Sequence, residues 1–350
     1  MDNALFQLVL RPYGMLDDGQ GPQPAETLKI QTLAGGLIND TFALGQNFVL
    51  QRLHPIFRAE VNDDIAALVP ELLAAHVPVP KLVRTADGQT GVRLEQGNWR
   101  ILTRLPGKTL HRLENVRQAE AAGRMIAQFH AALKDSRHTF HFTRPGAHDT
   151  HGHFQKLADA LTQHPEHRLH EQVQEMAMEL TDLWQEWGKI PQLPERIIHG
   201  DLKVSNLLFD GDRVVGVLDL DTMARSSLDV ELGDALRSWV NATTEDEANP
   251  RVQTELFHAA MHGYLEVANP WLTLEEQQAI VPAIERICLE LAARFAADAL
   301  NEAYFGWNSQ QFPARGEHNL TRARNQLGLA RDVRAKRAEL QGSLLSRKIP

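Results

Sequence analysis

Apolar positions come in short runs over the first hundred residues and at three- and four-residue steps after that. Residues 28–33, 41–44 and 48–53 read as strands joined by Ala34-Gly35-Gly36-Leu37-Ile38-Asn39-Asp40 and a second short turn, because apolar runs bounded by glycine, asparagine and aspartate are strand signals. Residues 61–76 place Ile65, Leu68, Leu72 and Leu73 on one helical face, and Pro78 and Pro80 end that helix. Strands follow at 81–84, 91–95 and 99–105, the last running into Pro106-Gly107-Lys108. Helical spacing then takes over. Asn115, with Gln118 three positions on, marks the start of a helix carrying Val116, Ala119, Met125, Ile126, Phe129 and Leu133. Residues 171–187 carry the stripe Val173, Met176, Leu180, Leu183 and Trp184. Asp229 is placed to cap the next helix, 251–305 is helical with a break at Asn269-Pro270, and 318–340 is a final helix. One hairpin interrupts this second part: 207–209 and 214–218 are apolar runs flanking Asp210-Gly211-Asp212. The pattern predicts an α+β chain with a small antiparallel sheet followed by a mainly helical region.

Composition narrows the setting. At 350 residues the chain suits two lobes, and a formal charge of −9 argues against a general nucleic-acid or anionic-membrane surface. No apolar run reaches the roughly 18 residues of a membrane span, and no basic segment precedes a long apolar run at the N-terminus. Cys288 is the sole cysteine, so an internal disulfide is excluded and a reducing cytoplasm is the expected compartment.

The hairpin concentrates the chemistry. Folding 214–218 back on 207–209 brings Asp219 beside Lys203 and close to Asp201 and Asn206. Phosphoryl transfer from a nucleotide needs a carboxylate for the acceptor's proton, and an amide oxygen with a second carboxylate for magnesium. Asp201 and Asn206 stand five positions apart, the spacing of a kinase catalytic loop. Asp201 is therefore the candidate base, Asn206 and Asp219 are candidate metal ligands, and Lys203 is a candidate contact to the transferred phosphate.

His199-Gly200-Asp201, Asn206 and Leu218-Asp219-Leu220-Asp221 together resemble the aminoglycoside phosphotransferase and choline kinase superfamily. That resemblance implies a two-lobed protein-kinase-like fold, with residues 1–105 as the nucleotide-binding lobe and 106–350 as the catalytic and substrate lobe. ATP and Mg²⁺ are the implied cofactors. Gly35, Gly36 and Asn39 would lie over the phosphates, and Leu102, Thr103 and Arg104 would border the adenine. Relatives usually carry a phosphate-binding lysine in the strand where this chain reads Val49-Leu50-Gln51-Arg52-Leu53. Gln51 stands in the lysine position and Arg52 is the alternative source of charge, yet adjacent strand residues face opposite sides. Glu60 or Glu71 would steady the phosphate-binding residue from the first helix, and Asp234 would brace the catalytic loop.

The superfamily phosphorylates small alcohols, and further segments narrow the acceptor. Gly36 to Thr41, Val49 to Leu53, His148-Asp149-Thr150, Leu218 to Thr222 and Glu317 to Leu327 resemble N-acetylhexosamine 1-kinases. This implies transfer to an anomeric hydroxyl, with His148, Asp149, Asp221, Arg294, Tyr304 and Asn319 around the sugar. Gly200 departs from those sugar kinases. The alternatives are a kinase for an aminoglycoside, choline or homoserine, and a non-catalytic kinase-like binding protein, for which only the missing lysine speaks. The histidines at 138, 141, 148, 151 and 153 lack the cysteines or the His-Glu-x-x-His helix of a zinc site.

Overall fold

The computed structural model describes residues 3–15, 29–33 and 39–345. The Gly35-Gly36 turn, the segment expected over the phosphates, lies outside them. An antiparallel sheet forms the first part, from β1 (Ile30–Thr32), β2 (Asp40–Leu44), β3 (Phe48–Arg52), β4 (Leu82–Val83), β5 (Val92–Leu94) and β6 (Gly97–Thr103). Its strands run β1-β2-β3-β6-β4, with β5 on the far end of β6. Strand alternation divides the residues of this sheet between two faces. Phe42, Leu44, Leu50, Trp99 and Ile101 point to one face and pack with Phe6, Val9 and Leu10 of α1 (Asn3–Leu10) into a separate small core. Thr41, Gln51 and Arg100 share the other face, where Gln51 is paired with both Thr41 and Arg100 in register. The sequence reading assigns no helix to α1, which seals the outer face.

Helix α2 (Val61–Ala74) follows β3, and its Val61, Ile65, Leu68, Val69 and Leu72 join the main core. That core is otherwise built by the second part: α3 (Val116–Leu133), α4 (Thr150–Gln163), α5 (His170–Trp187), α6 (Leu228–Trp239), α7 (Thr254–Ala268), α8 (Leu274–Asn301) and α9 (Arg315–Leu345). Helix α8 is the axis. Every residue from Ala283 to Leu300 is buried except Arg294, so α8 is wrapped on nearly all sides by other helices. Among the described residues no helix is long and apolar enough to cross a membrane.

Several local readings change in the structure. Asn115 caps α3 as expected, accepting from the Arg117 and Gln118 amides, but the Gln118 side chain reaches the Glu114 amide instead of that of Asn115. Asp229 does not cap α6. Ser227 holds that position without a side-chain cap bond, and the Asp229 carboxylate lies buried inside the helix, where Arg286 of α8 reaches it at 3.0 Å. Helix α4 was hidden by its own histidines, and Asp149 caps it by accepting from the Gly152 amide at 3.0 Å.

The second part also carries β7 (Lys108–Thr109), β8 (Glu195–Ile198), β9 (Leu207–Asp210), β10 (Arg213–Val217) and β11 (Ala224–Ser227). β9 and β10 form the expected hairpin around Gly211, whose φ of 60° suits a residue without Cβ. A bulge between Val214 and Gly216 shifts the register, so that Val217 lies opposite Leu207. Gly216 and Gly107 let the linker between the two parts lie on this hairpin, since a Cβ at Gly216 would meet Leu105 at 2.9 Å and one at Gly107 would meet Val215 at 2.8 Å.

Candidate active site

The stretch from β8 to β11 forms a tight double loop. Leu218 N–H donates to Asn206 O at 2.8 Å, so Asp219 leaves the hairpin beside the loop that carries Asp201, Lys203 and Asn206. The His199 ring bridges the two loops. Its Nε2 donates to Leu218 O at 2.7 Å, and its Nδ1 accepts from the Asp201 amide at 3.3 Å. Gly200 has φ +82°, and a Cβ there would stand 2.4 Å from Thr222 O, so the loop can pass Thr222 only with glycine at this point. The departure at Gly200 thus has a local physical reason.

Asp201, Lys203 and Asn206 meet in this loop. Lys203 Nζ donates to Asp201 Oδ2 at 2.7 Å, and Asn206 Nδ2 donates to the same oxygen at 3.1 Å and to Asp201 O at 2.7 Å. Burial alone would raise the Asp201 carboxyl. The Lys203 ammonium outweighs it and holds Asp201 below the usual carboxylate range. Lys203 itself, which burial would lower, is raised by the Asp201 carboxylate. Asp201 is thus a carboxylate at neutral pH, with Oδ1 free to accept a proton.

Asp219 stands in contrast. It adopts φ 62° and ψ 58°, a left-handed conformation uncommon for a residue with a side chain. Its carboxylate has no hydrogen-bond partner among the described residues. Burial, with the neighbouring Asp221 and Asp201 carboxylates, pushes it up to about 6. Asn206 spends its Nδ2 on Asp201 and keeps its amide oxygen open. An open amide oxygen beside an uncompensated carboxylate is an all-oxygen donor pair of the kind magnesium takes, so the residues fit that ion. Two other groups among the described residues could hold a cation, Asp64-His138-His141 and Glu120-His262-Glu266, and neither belongs to the hairpin. The first accounts for part of the histidine crowd: Asp64 on α2 accepts from His138 Nε2 at 2.8 Å and from the His141 and Phe142 amides, tying α2 to the second part.

The loop is braced by a residue that the sequence did not single out. Glu231, wholly buried on α6, accepts from the His199 amide at 2.7 Å and the Gly200 amide at 2.8 Å. Its Oε1 also meets His130 Nε2 at 3.1 Å, and the other ring nitrogen of His130 meets the Tyr264 hydroxyl. Burial would raise Glu231, but His130 and the loop amides hold it low. The bracing role expected of Asp234 therefore belongs to Glu231, one helical turn earlier, while Asp234 pairs with Arg237 at 2.9 Å.

The first part contributes Arg100, also unforeseen. Its guanidinium is about 2% exposed and forks onto both oxygens of Asp221, while its Nε and Nη2 donate to Gln51 Oε1 at 2.9 and 2.7 Å and its Nη1 reaches Asn62 Oδ1 at 3.2 Å. Asn39 Nδ2 adds a bond to Asp221 Oδ2 at 2.7 Å, and Asn39 Oδ1 accepts from the His54 amide. Asp221 and Asn39 are thus occupied in joining the sheet to the catalytic loops, which leaves Asp221 no oxygen for an acceptor. Gln51 and Arg100 face this side together. Arg52 lies on the opposite face, bonded to Asp40 at 2.7 Å and over the Trp99 ring, because alternation sends it away from the face of Gln51. From α2 it is Asn62 that touches this network. Glu60 is taken by Arg93, and Glu71 by Ser136. At the linker, the Thr103 and Arg104 amides already donate to Lys81 O and Asn47 O, so those two donors are not available to an adenine. Leu102 lies in β6 opposite Val49.

The expected acceptor residues divide. Arg294 and Tyr304 line one cavity of about 460 Å³. His148, next in sequence to the lining residue Ala147 but not itself part of the lining, meets Glu290 at 3.1 Å. Burial would lower this imidazole, and Glu290 raises it. Asp149 is spent as the α4 cap. Asn319 is fully buried and donates to Asp298 at 2.9 Å, bracing the turn after α8.

Comparison with known proteins agrees with this geometry. Residues 29–268 match the family described as the phosphotransferase enzyme family, APH. A homoserine kinase of Methylobacillus flagellatus is 26% identical over 294 residues, covering 82% of this chain and 83% of the relative. Among solved structures, a choline/ethanolamine kinase family protein from Mesorhizobium loti superposes with a TM-score of 0.58 at 16% identity, covering 98% of this chain and 99% of that one. The GDP and kanamycin complex of APH(2'')-IIIa gives a TM-score of 0.63 at 13% identity, covering 93% and 98%. The fold is that of these kinases, a small antiparallel sheet lobe on a larger helical one.

Proposed function

The chain belongs to the phosphotransferase enzyme family, and from that premise we propose that it moves the γ-phosphoryl group of ATP to a hydroxyl of a small polar acceptor, with residues 1–105 handling the nucleotide and 106–350 the acceptor. One observation carries the reading. Asp201 is neutralised by Lys203 and Asp221 by Arg100, whereas Asp219 has no partner among the described residues and lies beside the open amide oxygen of Asn206. Asn206 and Asp219 would hold magnesium, which supplies charge neutralisation to the nucleotide phosphates.

The protein's own groups then have separate tasks. Asp201 Oδ1 accepts the acceptor's hydroxyl proton. A carboxylate held below its usual range is a weak base, which suits a reaction whose transition state is loose and asks for orientation more than for early deprotonation. Lys203 fixes the carboxylate's rotation and lies ready to meet the transferred phosphoryl oxygens. Glu231 and His199 hold the loop in place. The position of the cation that relatives carry on β3 is held, in this reading, by the neutral Gln51, fixed in place by Arg100 from the neighbouring strand.

The acceptor we propose is the anomeric hydroxyl of an N-acetylhexosamine, supported by the sugar-kinase resemblance and by the common cavity of Arg294 and Tyr304. A hydroxy amino acid such as homoserine is the second reading, favoured by relatives of 26–28% identity that bear the name homoserine kinase. Incubation with MgATP and a panel of hexosamines, homoserine, choline and kanamycin, with the product's phosphorylated position read by NMR, tests both. A sugar 1-phosphate is expected. A 6-phosphate, or turnover of choline or kanamycin alone, removes the sugar assignment.

A further inference from the structure

The 460 Å³ cavity of Arg294 and Tyr304 also holds Arg144 and Lys156, two cations that neither the family nor the sugar reading calls for. It lies where Ile56, on the segment leaving β3, meets α4, α8 and the turn after α8, so both lobes border it. Three cations face it: Arg144, Lys156 and Arg294. None of the three has a carboxylate partner among the described residues. Arg294 is the one residue between Ala283 and Leu300 that the helical packing leaves unburied, and its guanidinium lies 5.7 Å from the Phe305 ring. Arg144 lies over Phe57 at 5.7 Å and reaches the Tyr304 hydroxyl at 3.4 Å.

The acids in the same wall offset these charges only in part, and their hydrogen bonds hold them away from the three cations. Asp298 is saturated by the Ala303, Tyr304 and Phe305 amides and by Asn319 Nδ2, and Asp159 accepts from Gln155. The one imidazole of the wall, His153, is held low, first by burial and then by Arg294, and adds no charge at neutral pH. Three cations against two occupied carboxylates leave the wall net positive. Elsewhere many arginines are paired with carboxylates, as Arg168, Arg237, Arg331 and Arg334 are, while others such as Arg84, Arg225 and Arg324 donate to carbonyl or amide oxygens on the surface. Two half-buried arginines without a carboxylate, converging with Lys156 on one cavity, make a site shaped to receive an anion.

We infer that the acceptor carries a carboxylate, bound by Arg294 with Arg144 and Lys156, and that this group, more than the hydroxyl being phosphorylated, selects the substrate. The inference rests on the kinase reading and narrows its acceptor: a neutral N-acetylhexosamine is a poor substrate, and one that carries a carboxylate is a good one. It excludes choline and aminoglycosides, whose positive charge the wall repels. It is met equally by a sugar acid with a free anomeric hydroxyl and by a hydroxy amino acid, which share the carboxylate.

Matched pairs test it: galactose with galacturonic acid, N-acetylglucosamine with its lactyl ether N-acetylmuramic acid, and homoserinol with homoserine. The pair that is turned over identifies the source of the carboxylate. Within that pair kcat/KM for the acid should exceed that for the neutral partner by about 30-fold, the worth of one charge-assisted hydrogen bond. Arg294→Gln should erase most of that preference by raising KM for the acid, with a smaller change in KM for ATP. Lys156→Gln, at an exposed position, repeats the test with no risk to folding. Equal or greater activity on the neutral partner, or a preference untouched in both variants, overturns the inference while leaving the kinase reading intact. Should no pair be turned over, titration calorimetry of the three acids decides. Binding that Arg294→Gln abolishes supports the inference although the kinase reading has failed, and absence of binding refutes it.

Discussion

Glu231→Gln isolates the brace beneath the catalytic loop. Glu231 is fully buried and spends both oxygens on backbone donors, the His199 amide at 2.7 Å and the Gly200 amide at 2.8 Å. Glutamine preserves shape and volume but offers one oxygen. Its NH₂ must then oppose a backbone N–H, so one charge-assisted bond is lost and one buried donor is left unsatisfied, together about 3 kcal/mol. The loop can relieve the clash only by moving away from α6, and it carries Asp201 with it. A displacement near 1 Å at the reacting group costs about 100-fold in rate. Urea denaturation should show the stability loss, steady-state assay the fall in kcat, and calorimetry a nucleotide affinity close to that of the parent, since Glu231 lies behind the loop. A variant with kcat within about threefold of the parent would refute the bracing argument, because fine placement of a base is worth more than that.

Other substitutions probe neighbouring links. Gly200→Ala should destabilise the fold by about 3 kcal/mol, since it adds a Cβ to a left-handed residue and drives it against Thr222 O; a thermal midpoint equal to the parent's would show that the loop has another path. Arg100→Met leaves Asp221 buried and unpaired and should cost about 3–5 kcal/mol, whereas the same loss from Arg52→Ala would be inconsistent with its exposed pairing to Asp40. For the nucleotide, Gln51→Ala should raise KM for ATP and Arg52→Ala should leave it nearly unchanged, because they lie on opposite faces of β3. The reverse order would place Arg52 in the cleft.

The catalytic hairpin was legible because its chemistry is written in local spacing: Asp201 to Asn206 within one loop, and Asp219 returned by a two-strand turn. What escaped the sequence depends on which of several equivalent residues the packing turns inward. Asp229, Glu231 and Asp234 all read as acids near a helix start, and only the rotation of α6 against the loop picks Glu231. Arg100 sits between Trp99 and Ile101 in a strand that reads as apolar, and its role depends on facing Gln51 across the sheet. Arg52 offered charge at the right place along β3 but on the wrong face. Asp149 and Asn319 lie in the expected segments, yet the protein itself consumes their hydrogen bonds. Arg144 and Lys156 carry no motif, and only the cavity unites them with Arg294.

The most direct test of the central claim compares phosphoryl transfer with nucleotide binding in Asp201→Asn and Asp219→Ala. If Asp201 takes the acceptor's proton and Asp219 holds the magnesium of the nucleotide, Asp201→Asn should lose about 10³-fold in kcat and bind MgATP as the parent does, whereas Asp219→Ala should lose MgATP affinity as well. Full activity in Asp201→Asn, or equal loss of nucleotide binding in both variants, would contradict the assignment.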